Sequence, residues 1–306
     1  MKFASSLNFA ERSREGALTL EESLDLIKAA GMSAIEIDLS RGIGAELFRD
    51  EYAGIRFTEL RKKINAAGMT VSSVHAPHDP TLYMPERGAS KEEIEKARTD
   101  AVAAAKMAHL LGAEVLVIHP VDDHINGEYD REVNLHTNLE HYKPLLDYIE
   151  LFKEAFTFKL AVENVYYSSQ YRLRRRFGES AEEVILLADA LGAGVCWNCG
   201  HAHPITMDQA RAIEKIGDKL VLMHISDSRG HTDAGLPPMI GGGNIKWEAI
   251  MPAVARIGFD GYAVLQADQY LTNMPKALQK DAAEFAGTVC RRLGELNAEC
   301  RVQNAE

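Results

Sequence analysis

Apolar positions along the chain recur with two alternating periods. Short runs rich in β-branched residues have strand character at Phe3–Leu7, Ala34–Leu39, Val71–His75, Val115–His119, Leu160–Glu163, Gly194–Asn198, Val221–Ser226 and Tyr262–Ala267. Between them the period lengthens to steps of three and four, which predicts helices near residues 20–30, 57–67, 91–111, 136–156, 181–191, 207–216, 246–257 and 274–296. Ile94, Ala97, Ala101, Ala105, Ala108 and Leu111 show the spacing in the third segment, and Phe285, Val289, Leu293 and Leu296 in the last. Gly31, Gly68, Gly112 and Gly192 each stand where a helix closes and a strand follows.

Eight strand–helix units in succession argue for a parallel sheet closed on itself, a (β/α)8 TIM barrel of the α/β class. An open dinucleotide-binding sheet needs a glycine-rich turn after its first strand, and Leu7-Asn8-Phe9-Ala10 has none. No Pro-, Gly- or Ser-rich linker divides residues 1–306, so a single barrel domain is expected over the whole length.

Composition narrows the class. A chain of 306 residues suits a barrel of ~250 residues with insertions. With 46% apolar and 26% charged residues it is neither disordered nor collagenous. A formal charge of −11 disfavours nucleic acid and anionic membranes as partners. No apolar run approaches the ~20 residues of a bilayer span. Met1 to Ser6 leads straight into a strand without a leader pattern, and four cysteines are too few for a disulfide framework. A cytoplasmic, reduced protein is expected. Cys196 and Cys199 have CxxC spacing, but with no second pair they are read as packing residues.

In a barrel of this kind chemistry gathers at the carboxyl ends of the strands. Glu36 and Asp38 lie on the second strand, His75 ends the third, His119 the fourth, Glu163 the fifth, Asn198 the sixth and His224 the seventh, and Gln266 lies on the eighth. His201 and His203 follow Asn198, and Asp227 follows His224. Imidazoles and carboxylates converging on one barrel mouth suit a divalent metal or acid–base chemistry. The connections Asp79–Ser90 and Pro120–Leu135 are long enough for lids. The basic run Arg172–Arg176, Arg174 included, offers either a clamp for a phosphate or carboxylate or an exposed loop. Gly241-Gly242-Gly243 is a weak signal for backbone approach to an anion, and Tyr166, Tyr167 and Trp197 are candidates for a stacking wall, with Trp197 read as filling the barrel.

VHAPHD, VIHP, AVEN, NCGHA, MHISD and GLPPMIGGGNIKW together resemble the xylose isomerase-like TIM barrels, the sugar phosphate isomerase/epimerase superfamily that includes AP endonucleases of the endonuclease IV type. The resemblance spans essentially the whole chain. It implies a divalent metal (Mn, Co, Mg or Zn) held by strands five to eight, at Glu163, Asn198, His224 and Gln266. It implies catalytic roles for Glu163, His201 and His119, and substrate contacts from His75, His119, His201, Asp227 and Arg174. The expected partner is a small carbohydrate, sugar acid or sugar phosphate, and many relatives form homo-oligomers.

Two of the family's usual carboxylates are amides here, at Asn198 and Gln266. Each keeps a carbonyl oxygen but loses a charge, so the ion is expected to be weakly held. The resemblance implies isomerisation or epimerisation through an enediolate, but Gln266 cannot act as the second base of a two-base epimerase, which favours a one-base reaction, either a dehydratase or lyase step or an isomerisation on a single face. A second metal set is His75, His119 and Glu163, whose counterparts serve in the multi-zinc cluster of endonuclease IV-like members. The nuclease reading is disfavoured because that cluster's Asp-x-His reads Asp233-Ala234-Gly235. A carbohydrate-binding barrel with a degraded metal site is the alternative from another class. Both amides place the acid excess away from the barrel mouth.

Overall fold

The computed structural model describes residues 1–303 apart from 126, 166–174, 206–207, 231–234 and 240–241. Eight parallel strands close into a barrel: β1 (Lys2–Ser6), β2 (Ala34–Asp38), β3 (Thr70–His75), β4 (Val115–Ile118), β5 (Lys159–Glu163), β6 (Gly194–Asn198), β7 (Leu220–Ile225) and β8 (Tyr262–Leu265). Each pairs with its sequence neighbours, and β8 returns to β1 with Ser5 opposite Leu265. The expected (β/α)8 TIM barrel is therefore the observed fold.

Strand alternation sorts side chains into two apolar groups. Ile35, Ile37, Leu116, Ile118, Val162, Trp197, Met223 and Leu265 belong to the large core between sheet and helices. Ala4, Ala34, Val115, Val117, Ala161, Cys196, Leu222 and Val264 form a second, smaller cluster of buried residues inside the barrel. One inward step further along the strands come Ser6, Glu36, Glu163, Asn198, His224 and Gln266, so the apolar layer is the floor on which a polar layer rests. Trp197, expected to fill the barrel or form a stacking wall, does neither. It sits in the sheet–helix core and donates Nε1–H to Gln209 Oε1 at 3.3 Å. Cys196 and Cys199 are buried free thiols, as packing residues should be.

Local signals fix the helix ends. Thr19 and Ser90 form capping boxes with Glu22 and Glu93, and Gly112 and Gly192 close their helices at φ 69° and 64°, in the left-handed region. The fourth expected helix shifts, running Arg131–Leu151 instead of 136–156. Asp130 caps it early by accepting from Glu132 N and Val133 N, which also shortens the expected loop Pro120–Leu135. Beyond it, Phe152 and Phe156 fold back against Tyr148 with ring centroids 4.8 and 5.7 Å away. Short helices Gly42–Phe48 and Asp268–Thr272 follow β2 and β8 and were not foreseen.

The last helix, Lys276–Gln303, buries Ala283, Ala286, Cys290 and Leu293, whereas Phe285, expected on that face, is exposed. Its close seat explains the choice of small residues. A Cβ at Gly287 would meet the Ala30 carbonyl oxygen at 1.9 Å. No described helix is long and apolar enough to cross a membrane. Gly287→Ala should force the last helix away from the Leu20–Ala29 helix and destabilise the fold by roughly 1–3 kcal/mol. Urea denaturation measures this, and an unchanged midpoint would show that the backbones are not in contact there.

Candidate functional site

The polar layer opens into a cavity of about 240 Å³ lined by Ser6, Glu36, Asp38, Arg41, His75, His78, His119, Glu163, His201, Gly235, Gln266, Asp268 and Gln269. At its base Glu163, 1% exposed, uses both carboxylate oxygens. Oε2 lies 2.9 Å from His75 Nε2 and 2.8 Å from His119 Nε2. Oε1 lies 2.8 Å from His224 Nδ1 and accepts from Asn198 Nδ2 at 2.8 Å. His201 Nδ1 stands 3.5 Å from the same oxygen. Sequence expectation and geometry thus bring Glu163, Asn198, His224, Gln266, His75, His119 and His201 to one place.

Glu36, absent from the expected ligand and substrate sets, is an equal member of this centre. It is 1% exposed, and its Oε2 accepts from Ser73 Oγ at 2.7 Å and faces His224 Nε2 at 2.9 Å. Its Oε1 accepts from Gln266 Nε2 at 2.8 Å. Gln266 Oε1 in turn accepts from Asn198 Nδ2 at 3.1 Å. Glu163, His224, Glu36, Gln266 and Asn198 therefore close a five-membered ring of hydrogen bonds. Two acceptor-only carboxylates fix the amide orientations, because each must face an N–H. Asn198 Oδ1 is turned away, accepting from His201 N at 3.0 Å.

Electrostatics separates the imidazoles. Burial pushes the Glu36 carboxyl up, but the His224 charge and the Ser73 hydroxyl outweigh it and hold it down to about 2. Glu163 is likewise held well below the carboxylate range despite burial, by His224 and the hydrogen bond from His119. Burial opposes charge on His224, yet the two carboxylates flanking it raise its pKa well above the ordinary value. His75 is raised to about 9, burial being outweighed by the hydrogen bond and charge of Glu163. Its Nδ1 lies 3.0 Å from the Ala76 carbonyl, so both ring nitrogens donate. His119, 3.1 Å from His75 between Nε2 atoms, goes the other way, to about 4, through burial and the neighbouring His75 cation. His78 stacks on His119 at 3.9 Å and is held well below its ordinary value by burial and both neighbours.

Carboxylates other than the two replaced by amides gather at the mouth. Asp38, Asp268 and Glu36 join Glu163 around it, with Arg41 3.6 Å from both Asp38 and Asp268. Burial pushes the Asp268 carboxyl up to about 7, against the pull of Arg41. In sequence Glu36 and Asp38 were visible as charges two apart in an apolar strand, both in the inward register of Ala34. That was the signal available for them.

Other expected site residues are placed elsewhere. Asp227 is not among the cavity-lining residues. Its Oδ1 accepts from Ser228 N at 2.8 Å and Ile245 N at 3.1 Å, and its Oδ2 from Trp247 Nε1 at 2.9 Å. It staples the glycine-rich loop, and Gly243 is small because a Cβ would meet Asp227 Oδ1 at 2.0 Å. Arg174, Tyr166 and Tyr167 lie outside the described residues. From the same basic run, Arg176 donates Nε–H to buried Asp122 at 2.8 Å and Arg175 pairs with buried Glu183, so both are anchored to internal acids.

A profile of the xylose isomerase-like TIM barrel family matches residues 24–287. The chain belongs to that family. Among curated proteins it is 28% identical over 269 residues to the uncharacterised protein y4fM of Sinorhizobium fredii (strain NBRC 101917 / NGR234), covering 78% of each chain. Its fold matches a crystal structure of a D-tagatose 3-epimerase-like protein with TM-score 0.72 and 21% identity, over 98% of this chain and 99% of that one. It also matches the IOLI protein with a bound zinc atom, with TM-score 0.68 and 16% identity, over 98% and 99% of the two chains.

The opposed shifts give the metal-free protein of this family member a defined pH response. The raised His75 pKa contributes stability in full below about 6.5, lost as pH rises through about 9. The depressed Glu36 pKa contributes in full above 4.5 and is lost as pH falls through about 2. Urea midpoints of chelator-treated protein should therefore fall between neutral pH and about 9. His75→Asn should flatten that limb, and equal slopes for both proteins would contradict the assignment.

Proposed function

We propose that the chain is a metal-assisted enzyme acting on a small sugar, sugar acid or polyol by proton transfer at the carbon beside a carbonyl. The carrying observation is that Glu163, His75, His119 and Gln266 line one polar cavity while His224 and Asn198, buried beneath, bond to the same Glu163, in a barrel similar in fold to a D-tagatose 3-epimerase-like protein.

The donor chemistry fits a divalent ion in two ways that share Glu163. On one side Glu163 Oε1, His224 and Gln266 Oε1 face inward, while Asn198 joins only if its amide turns over and releases His201 N. On the other, Glu163 Oε2, His75 Nε2 and His119 Nε2 form a triangle with sides of 2.8, 2.9 and 3.1 Å, the spacing of adjacent ligands around one ion. Among the described residues, Glu163 also groups with Cys196 and His224, and His75 with His78 and His119. When bound, a divalent ion supplies Lewis-acid stabilisation of the negative charge an enediolate carries.

The chain's own residues divide the remaining work. Glu163, with both oxygens occupied and its pKa held low, holds and orients instead of accepting a proton. With the ion held on the His224 side, proton traffic falls to His75 and His119. His119 is held neutral beside a protonated His75, so one can take a proton while the other gives one. That pairing supports a one-base shuttle for isomerisation, in which the proton leaves and returns on one face, and it favours elimination as a second reading, with His75 protonating a leaving hydroxyl. Asp38, Arg41 and Asp268 at the mouth suit hydroxyl groups, which accept and donate at once.

Sugars, sugar acids and polyols incubated in D2O with the protein and Mn²⁺, Co²⁺, Mg²⁺ or Zn²⁺ should gain deuterium beside the carbonyl or lose water. Glu163→Gln should lose bound metal and cut turnover at least about a hundredfold. Unchanged metal content and turnover in that variant would reject the reading.

A further inference from the structure

Gln266 and Glu36 meet head-on at 2.8 Å although 230 residues separate them in sequence. From this contact we infer that Glu36 and Gln266 are a coupled pair: Glu36 fixes which end of the Gln266 side chain faces the centre, and residue 266 is an amide because a buried carboxylate faces it. The inference rests on the metal reading above only for its second measurement.

Three features support the pairing. A glutamate at 266 would set two carboxylates oxygen to oxygen in a layer where Glu36 is 1% exposed, whereas the amide turns that contact into a donated hydrogen bond. Glu36, being acceptor-only, forces the Gln266 NH2 toward itself and so leaves Gln266 Oε1 pointing at Asn198 and the centre. The same carboxylate faces His224 Nε2 at 2.9 Å, which holds the proton on that nitrogen and leaves Nδ1 directed at Glu163. One buried carboxylate thereby presents two of the proposed ligands, His224 Nδ1 and Gln266 Oε1, with the correct atoms inward. Glu36 is a positioning residue, held in turn by Ser73 Oγ at 2.7 Å.

The test is a double-mutant cycle of wild type, Glu36→Gln, Gln266→Glu and the exchanged double variant, read in two ways. Thermal unfolding of the chelator-treated proteins reads the pair without metal. Gln266→Glu should lower the midpoint by about 5 °C or more, and the double variant should regain most of that loss. Co²⁺ titration followed by visible absorption reads positioning. Glu36→Gln should weaken Co²⁺ binding about 10- to 100-fold, and the exchanged variant should recover most of the affinity, a rescue that loss of packing alone would not produce. Additive midpoint losses in the cycle would overturn the pairing. Coupled midpoints with no Co²⁺ binding by wild type would keep the pair and sink the metal reading instead.

Discussion

Glu163 carries a charge with only 1% of its surface exposed, and the arrangement of the barrel mouth follows from that constraint. A buried carboxylate is tolerated only with nearby positive charge and with its lone pairs occupied. Here two oxygens receive contacts from His75, His119, His224 and Asn198. A cationic His224 then needs its second N–H satisfied, which brings in Glu36, and Glu36 brings in Gln266 and Ser73. The chain of requirements ends where Gln266 meets Asn198 and the ring closes. Two carboxylates against two imidazolium groups, His224 and His75, leave the layer nearly neutral.

Much of this was legible because a parallel barrel converts sequence alternation directly into depth. Glu163, Asn198, His224 and Gln266 each follow by two residues a member of the inner apolar cluster, at Ala161, Cys196, Leu222 and Val264. The same rule applied to Ala34 points at Glu36, and applied to Cys196 it turns Trp197 outward. The family resemblance drew attention to strands five to eight and away from the second strand, so Glu36 was seen and not used. Asp227 was not legible in this way. It lies past the end of β7, where alternation no longer sets direction, and its carboxylate turns to the backbone N–H groups of a loop. Asp130 and Phe285 show the same limit, since a single cap or the seat of one helix on another decides them.

The acidic surface and the charged groups at the mouth have different consequences. Surface charges at distance act through a screened field and bear chiefly on which partners approach. Asp38, Asp268 and Arg41 act at contact range, where their geometry selects hydrogen-bonding groups more than net charge.

The two amides invite the reading of a site in decay, yet the packing argues for adaptation. A site released from its chemistry would be expected to leave buried polar atoms without partners, since nothing would hold them in register. Among the described residues such atoms do occur, His78 Nδ1, Ser40 Oγ and Asp268 Oδ1 among them, but none belongs to Glu36, Glu163, Asn198, His224 or Gln266. Nor does stability account for the ring. Buried ion pairs are commonly no better than well-packed apolar side chains of the same volume, and the cluster directly beneath, from Ala4 to Val264, shows that this barrel accommodates such packing. A fully satisfied polar ring on an apolar floor, open on its other side to a cavity of about 240 Å³, is the arrangement the proposed site requires, where the orientation of each polar atom decides what it can hold.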